Sequence, residues 1–145
     1  MSAIELRGLD HVVLRVADID RALDFYCVAL GCHEERRIEE LGLIQLRAGA
    51  SLIDLVLIDS PLGRAGGGAV DDQARNVDHF ALELGAFDED AIRSELKAHG
   101  ISAGDAGRRY GAKGFGLSIY LKDPDGNTVE LKGPPHSDPE ARNSS

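Results

Sequence analysis

The sequence predicts an α+β protein built from one structural module that is written twice. Two octets provide the first observation: LDHVVLRV begins at Leu9 and VDHFALEL begins at Val77, and each places a histidine third, directly after an aspartate. A helical segment follows each octet, and further strands follow each helix. Because repetition of this kind indicates a duplicated supersecondary unit, we expect two similar modules within the 145 residues.

The composition is that of a globular chain and excludes several classes of function. Hydrophobic residues make up 43% of the sequence and charged residues 28%, as in ordinary globular domains. The net charge of −9 argues against nucleic-acid binding, which needs clustered Lys and Arg. No apolar run is long enough to cross a bilayer, and the N-terminus lacks the features of a signal peptide. We therefore expect a cytoplasmic protein with no nucleic-acid or membrane partner.

One amphipathic helix is predicted in each module. In DIDRALDFYCVALG, Asp18 is a suitable N-cap and Gly31 a suitable C-terminal stop, and in DEDAIRSELKAHG the same positions are taken by Asp88 and Gly100. The apolar positions spaced for the inner face of the first helix are Ile19, Leu23, Tyr26 and Leu30, and those of the second are Ile92 and Leu96.

Two strands are predicted after each helix. The first module offers LGLIQLRAG and SLIDLVLID, and the second offers GFGLSIYLKD and NTVELKG. The last two are joined by Asp123-Pro124-Asp125-Gly126. This is a strong hairpin turn, because proline presets its own dihedral angle and glycine tolerates a positive one.

These elements divide the chain into five parts. The segment between the modules is rich in glycine and has no periodicity, which predicts a flexible linker or a mobile loop. The polar, proline-bearing C-terminus is expected to be disordered. The predicted parts are an N-terminal lead at 1–8, a first module at 9–59, the linker at 60–76, a second module at 77–133 and a tail at 134–145.

Four polar side chains interrupt the apolar strands at matched points of the repeat: His11 and Asp54 in the first module, His79 and Glu130 in the second. Since side chains alternate along a strand, the four meet if the modules pack side by side. Two imidazoles and two carboxylates suit a divalent ion such as Zn, Ni, Co, Mn or Fe. A single strand histidine is more often a hydrogen-bonded core residue, and Asp54 alone could pair with an arginine. Recurrence at matched points favours the metal site.

The sequence resembles the vicinal oxygen chelate superfamily, which includes glyoxalase I, extradiol dioxygenases, methylmalonyl-CoA epimerase and the fosfomycin and bleomycin resistance proteins. The matching segments are LDHVVLRVADIDRALDFYCVALG, IDLVLID, VDHFALEL and DPDGNTVELKG, which together reach from Leu9 to Gly133. The resemblance implies tandem βαβββ modules whose mixed sheet curls into a cup around a metal, with the helices outside. It places the ligands on His11, Asp54, His79 and Glu130, and it implies a homodimer.

Likeness to glyoxalase I implies roles for arginines, since that enzyme holds the carboxylates of a glutathione hemithioacetal with arginine side chains. Arg15, four residues after the first histidine, and Arg75, four residues before the second, match such positions. The family's lysine-bearing loop is matched loosely, by Arg108, Arg109 and Lys113. At the position of Asp54, glyoxalase I and the epimerase have Glu or Gln, which are longer by one methylene.

Three functions follow. The first is a metal-dependent lyase or isomerase of glyoxalase type, in which Glu130 or Asp54 moves a proton between adjacent carbons through an enediolate. The second is an Fe(II) or Mn(II) dioxygenase that uses His11, His79 and Glu130 and does not need Asp54. The third is a metal-free binding or resistance protein, which is disfavoured because only 5% of the residues are aromatic and Trp is absent.

Overall fold

The computed structural model describes residues 3–136 of the chain. The chain forms two compact units that divide between Val70 and Asp71, inside the segment predicted as the linker. Most of the predicted tail, from residue 137 onward, lies outside the described residues. Among the helices that are described, none is both long and apolar enough to span a bilayer.

The first unit contains a four-stranded mixed sheet with the order β1-β4-β3-β2. Its strands are β1 His11–Val16, β2 His33–Ile38, β3 Leu43–Ala48 and β4 Ser51–Leu57. β1 and β4 run parallel, whereas the β2–β3 and β3–β4 pairs are antiparallel. A helix separates β1 from β2, so the expected βαβββ order is confirmed in this half.

The second unit repeats this arrangement with the order β5-β8-β7-β6. Its strands are β5 Phe80–Glu83, β6 Gly107–Gly111, β7 Gly114–Lys122 and β8 Thr128–Lys132. β5 and β8 run parallel and the other pairs are antiparallel. The βαβββ order is therefore confirmed here as well, and the last strand of each module lies between its first and third strands.

The helices begin where the sequence predicts. The Asp18 side chain accepts a hydrogen bond from the backbone of Arg21 and caps α1 Ile19–Leu23, and Asp88 caps α3 Glu89–Ala98 in the same way. Gly31 and Gly100 follow the two helical segments with φ of +88° and +73°. A further short helix, α2, spans Pro61–Arg64, so the start of the predicted linker has regular structure that its lack of periodicity did not indicate.

The first helix differs from the prediction beyond Leu23. It continues as a π-helix over Asp24–Ala29, and the wider winding rotates the inner face. Phe25 and Tyr26 are both buried, with their rings 4.8 Å apart in an edge-to-face arrangement. Of the predicted inner positions only Tyr26 is buried, whereas Ile19, Leu23 and Leu30 are half-buried.

The last strand of each module provides much of the core on one face and the candidate site on the other. Ile53 and Leu55 are 1% and 0% exposed, and Asp54 between them points to the opposite face. Val129 and Leu131 flank Glu130 in the same way and are also buried. Burying each of these apolar side chains contributes about 1.5–3 kcal/mol, which stabilises the strands that position the carboxylates.

The turn at 123–126 is the one the sequence predicts. The Asp123 side chain accepts hydrogen bonds from the backbone N–H groups of Asp125 and Asn127 at 2.9 Å and 2.8 Å. Gly126 has φ of +84°, a conformation that favours glycine. The hairpin of β7 and β8 fixes the register that places Tyr120 opposite Glu130.

Candidate metal-binding site

His11 and Asp54 lie on the same face of the first sheet. In the parallel pair of β1 and β4, His11 pairs with Leu52 and Val13 pairs with Asp54, so the two polar residues are one same-face step apart. No described hydrogen bond joins them. The Asp54 carboxylate is close enough for its charge to act on His11.

The imidazole of His11 is held by the residue before it. Its Nδ1 lies 2.7 Å from an Asp10 carboxylate oxygen, and the side chain is 45% exposed. This hydrogen bond raises the pKa of His11 above its ordinary value, partial burial opposes the rise, and the charge of Asp54 adds to it. With Nδ1 engaged by a carboxylate, Nε2 is the nitrogen available to a ligand, as in many metal-binding histidines.

Asp54 is buried and only partly hydrogen-bonded. The residue is 4% exposed, and its Oδ2 accepts a hydrogen bond of 3.1 Å from the amide of Gln45 on β3. Its Oδ1 is buried and has no hydrogen-bond partner among residues 3–136. A buried carboxylate oxygen without a partner is energetically costly, so this atom is suited to a cation or a donor group.

In the second sheet the corresponding residues touch directly. His79 Nε2 lies 3.1 Å from Glu130 Oε1, and Glu130 has only 9% of its side chain exposed. His79 Nδ1 lies 2.7 Å from Asp78, which repeats the contact of Asp10 with His11. The structure therefore brings together the predicted pair of the second module.

Tyr120, which the sequence did not indicate as a site residue, lies beside this pair, and Arg109, a loose match to the family's lysine-bearing loop, lies against Tyr120. The Tyr120 ring meets the His79 ring edge-to-face at 5.1 Å. Burial raises the pKa of Tyr120, the negative charge of Glu130 raises it further, and Arg109 lowers it. The Arg109 guanidinium lies 4.5 Å from the centre of the Tyr120 ring, and its Nη1 donates to the Ser118 hydroxyl at 2.9 Å.

A shared register could have revealed the cross-strand partners. Gln45 pairs with Asp54 across β3 and β4, and Tyr120 pairs with Glu130 across β7 and β8. In each hairpin the partner precedes the acid by nine or ten residues. Directly opposed residues on neighbouring strands have adjacent side chains, so this spacing is a signal that the sequence contains.

Arg15, predicted to bind substrate, is hydrogen-bonded to α2 and to the glycine-rich segment that follows it. Its Nη2 donates to the carbonyl oxygens of Gly63, Gly67 and Gly68 at 3.0 Å, 2.6 Å and 2.9 Å. A Cβ on Gly66 would lie 2.7 Å from Arg15 Nε, so the guanidinium lies directly against the backbone there. These partners are neutral carbonyl groups.

Arg75, the other predicted substrate-binding arginine, contacts the turn between β7 and β8. Its guanidinium donates to the Asp125 carbonyl at 2.7 Å and to the Asn127 side chain at 3.0 Å, and it pairs with Asp72 at 2.5 Å. The side chain is 20% exposed. These contacts hold the residues just before β8, the strand that contains Glu130.

The loosely matched cations of the second module have local partners. Arg108 lies over the Phe115 ring at 3.6 Å, and Lys113 pairs with Glu83 at 2.6 Å. Arg108 and Arg109 belong to β6, and Lys113 lies in the turn that follows it.

The predicted ligands fit a divalent ion in their chemistry. Each unit contains one of the two histidines and one buried carboxylate, and both kinds of group are ordinary ligands of first-row divalent metals. The buried Oδ1 of Asp54, which has no hydrogen-bond partner among residues 3–136, is chemically suited to a cation. Within the described part of the chain, no group of three or more His, Cys, Asp or Glu side chains is arranged to hold a metal ion. Of the four predicted ligands, His79 and Glu130 are in direct contact.

Sequence comparison identifies related proteins. Residues 8–131 match the profile of the Glyoxalase/Bleomycin resistance protein/Dioxygenase superfamily. The chain is 29% identical over 132 residues to the glyoxalase domain-containing protein RDO1 of Mycosarcoma maydis, covering 88% of this chain and 69% of that protein. It is 28% identical over 127 residues to catechol-2,3-dioxygenase of Bacillus subtilis (strain 168), covering 85% of this chain but only 40% of the dioxygenase.

Solved structures with the same fold agree with this match. An integron cassette protein from V. cholerae, VCH_CASS1, superposes with a TM-score of 0.67 at 27% identity, covering 91% of this chain and 98% of that one. Lactoylglutathione lyase from Agrobacterium tumefaciens has a TM-score of 0.59 at 21% identity, covering 87% and 92%, and supports the fold alone. The superfamily profile covers both βαβββ modules, and the chain belongs to the glyoxalase/bleomycin resistance protein/dioxygenase superfamily.

Proposed function

We propose that this protein binds one divalent metal ion through His11, Asp54, His79 and Glu130, and that it is a lyase or isomerase of glyoxalase type. The substrate would be a small molecule with two vicinal oxygens, for example a glutathione hemithioacetal. The observation that supports this best is the contact of 3.1 Å between His79 Nε2 and the buried carboxylate of Glu130. His11 and the buried Asp54 occupy the equivalent positions of the first sheet. Divalent metals are common in the superfamily.

The side chains of this site have separable tasks. A bound metal would stabilise negative charge on the substrate oxygens. Glu130 would accept a proton from one substrate carbon and return it to the adjacent carbon, so that one C–H bond breaks, another forms and no oxidant is required. Asp54 is the second carboxylate available for this proton transfer. Asp10 and Asp78 would keep the two imidazoles oriented through their contacts of 2.7 Å.

We further propose that Arg15 binds an acidic group of the substrate. Its described hydrogen bonds go to backbone carbonyl oxygens, and a carboxylate is a stronger partner for a guanidinium than a carbonyl is. A substrate acid that pairs with Arg15 would compete with the glycine-rich segment. The same role for Arg75 stays a prediction, because its guanidinium is bonded to Asp72 and Asn127.

A dioxygenase with His11, His79 and Glu130 as ligands is the second candidate. Glu130 contacts its histidine directly, whereas no described hydrogen bond joins Asp54 to His11, so Asp54 is the carboxylate that a two-histidine, one-carboxylate site would omit. The identity of 28% to a catechol-2,3-dioxygenase also favours this candidate. In this reaction Asp54 would be dispensable for metal binding.

Elemental analysis of metal-replete protein tests these proposals. We expect one metal ion per site in the wild type and loss of the metal in both Asp54→Ala and His79→Ala. His99→Ala, which changes an exposed histidine at the end of α3, is the matched control and should retain the metal. Loss in His79→Ala alone would favour the dioxygenase. A wild-type protein that binds none of the five candidate metals would refute both enzymes and favour a metal-free binding protein.

We also propose that the protein is a cytoplasmic homodimer, as its composition and family likeness imply. Sedimentation equilibrium of the purified chain should give twice the 15.5 kDa mass of one copy. A concentration-independent monomer mass would contradict the dimer.

A further inference from the structure

Gln45 is the residue that determines which oxygen of Asp54 remains available. The two residues pair directly across β3 and β4, and Gln45 Nε2 donates to Asp54 Oδ2 at 3.1 Å. Gln45 is half-buried and Asp54 is buried. This hydrogen bond engages one of the two carboxylate oxygens and leaves the other, Oδ1, without a hydrogen-bond partner in the described residues.

Arg36 fixes the direction of this hydrogen bond. Its Nη1 donates to Gln45 Oε1 at 3.0 Å. Because a guanidinium can only donate, the amide oxygen of Gln45 has to face Arg36 and the amide NH₂ has to face Asp54. The order Arg36, Gln45, Asp54 across three neighbouring strands is therefore a chain of donors that ends on one carboxylate oxygen.

The second module has a hydrogen-bonding residue at the same register position. Tyr120 lies opposite Glu130, as Gln45 lies opposite Asp54, and it forms a side-chain hydrogen bond with that carboxylate. Glu130 in addition reaches its histidine, whereas Asp54, which is one methylene shorter, has no such contact among the described ones. The orientation of Asp54 consequently depends more on its cross-strand partner.

We propose that Gln45 is a positioning residue that presents Asp54 to a divalent cation through Oδ1 alone, and that Arg36 sets the orientation of the Gln45 amide. This inference rests on the proposed metal site, and it adds which oxygen atom of Asp54, the shorter of the two acidic ligands, binds the metal. Residues that hold a ligand by hydrogen bonds typically change metal affinity by about 10- to 100-fold when they are replaced.

Co²⁺ titration of the metal-free protein tests this role without any assay of activity. We expect Gln45→Leu to raise the Kd for Co²⁺ by about 10- to 100-fold and to change the visible spectrum of the bound ion. The matched control is Gln73→Leu, which changes an exposed glutamine in the inter-module segment and should leave the Kd unchanged. Arg36→Leu provides a second variant should Gln45→Leu fail to fold, and its Kd should rise by a smaller factor.

A double-mutant cycle distinguishes positioning from a general structural effect. The Asp54→Ala background is expected to lose its metal on purification, so its Co²⁺ titration is carried to millimolar Co²⁺, where the weak Kd left by the other three ligands is measured. In this background Gln45→Leu should cause no further loss of Co²⁺ affinity, because the carboxylate that Gln45 orients is absent. An equal loss in both backgrounds, or a wild-type Kd in both Gln45→Leu and Arg36→Leu, would overturn the inference and leave the proposed metal site standing. If the wild-type protein binds no metal, the proposed function itself fails, and the inference fails with it.

Discussion

The two modules share a fold and differ in how each joins its histidine to its acid. In the second module His79 contacts Glu130 at 3.1 Å. In the first module Asp54 receives a hydrogen bond from Gln45 at 3.1 Å instead, and its described link to His11 is electrostatic. Both histidines nevertheless have the same partner on Nδ1, the aspartate that precedes them.

The length of the acidic side chain is the simplest cause of this difference. Asp54 and Glu130 occupy equivalent positions in β4 and β8, and each is flanked by buried aliphatic residues. The extra methylene of glutamate lets Glu130 reach the imidazole of His79, the residue directly before the neighbouring strand β5. Duplication of a module therefore preserves backbone positions, whereas one methylene decides which partner a buried carboxylate has.

The largest expected effect comes from removing the charge of Glu130. Because Glu130 is the proposed base, Glu130→Gln should lower turnover of the glutathione hemithioacetal of methylglyoxal by about 10²- to 10⁴-fold. The control is Glu83→Gln. Glu83 lies on the same face of β5 as His79 would if the strand began there, and it is paired with Lys113. This variant should keep wild-type turnover. Full activity in Glu130→Gln would assign the proton transfer to Asp54 or to another residue.

Exchanging the lengths of the two acidic side chains tests directly whether length causes the difference between the modules. Asp54→Glu should strengthen Co²⁺ binding and Glu130→Asp should weaken it, each by about 10-fold, if reach limits the first module. Because Asp54 is buried, the added methylene should also cost about 1–3 kcal/mol of unfolding free energy. Titration with Co²⁺ and urea unfolding measure the two effects. Equal affinities in all three proteins would show that the length of the acid does not matter.

The next prediction compares Arg75 with Arg64, two arginines of the predicted linker that lie on opposite sides of the boundary between the units. Arg75→Ala should lower the unfolding free energy by about 1–3 kcal/mol, since it leaves the polar groups of the turn before β8 without their charged donor. Arg64→Ala, which removes an exposed ion pair with Asp59, should change stability by less than about 0.5 kcal/mol. Urea unfolding of both variants provides the measurement, and an unchanged midpoint for Arg75→Ala would argue against a structural role for this residue.

How far the sequence predicts this fold depends on the strand. β1, β3, β4, β7 and β8 have branched apolar residues in recognisable runs, and these were found. β2 reads HEERRI and β6 reads GRRYG. Both are edge strands of their sheets, where charged residues are common and apolar alternation is absent. Apolar periodicity therefore identifies the strands with branched apolar runs, including the edge strand β1, and misses the two polar edge strands β2 and β6, which only the family resemblance supplied.

The candidate site, like the fold, can be predicted from the sequence only in part. The histidines and acids stand out because each is a polar interruption of an apolar strand. Gln45 and Tyr120 do not stand out, since their importance comes from register across a hairpin and not from their own strand. The partners of Arg15 could not be predicted either, because they are backbone carbonyl groups, which every residue has, and no side-chain pattern identifies them.

The smallest expected effect is on the titration of His11. The hydrogen bond from His11 to the Asp10 carboxylate raises the pKa of His11 above its ordinary value, so Asp10→Asn should lower the pKa of His11, as measured by NMR titration of the metal-free protein. A histidine whose pKa is raised on folding stabilises the protein below its unfolded pKa of about 6.5, and that contribution is lost as the pH rises through the raised value. Asp10→Asn should therefore reduce stability on the acid side and leave it unchanged well above neutrality. Asp20→Asn, an exposed acid in the first turn of α1, controls for net charge. If His11 titrates with the same pKa in Asp10→Asn and Asp20→Asn, the net charge of the protein, and not the contact with Asp10, sets the pKa of His11.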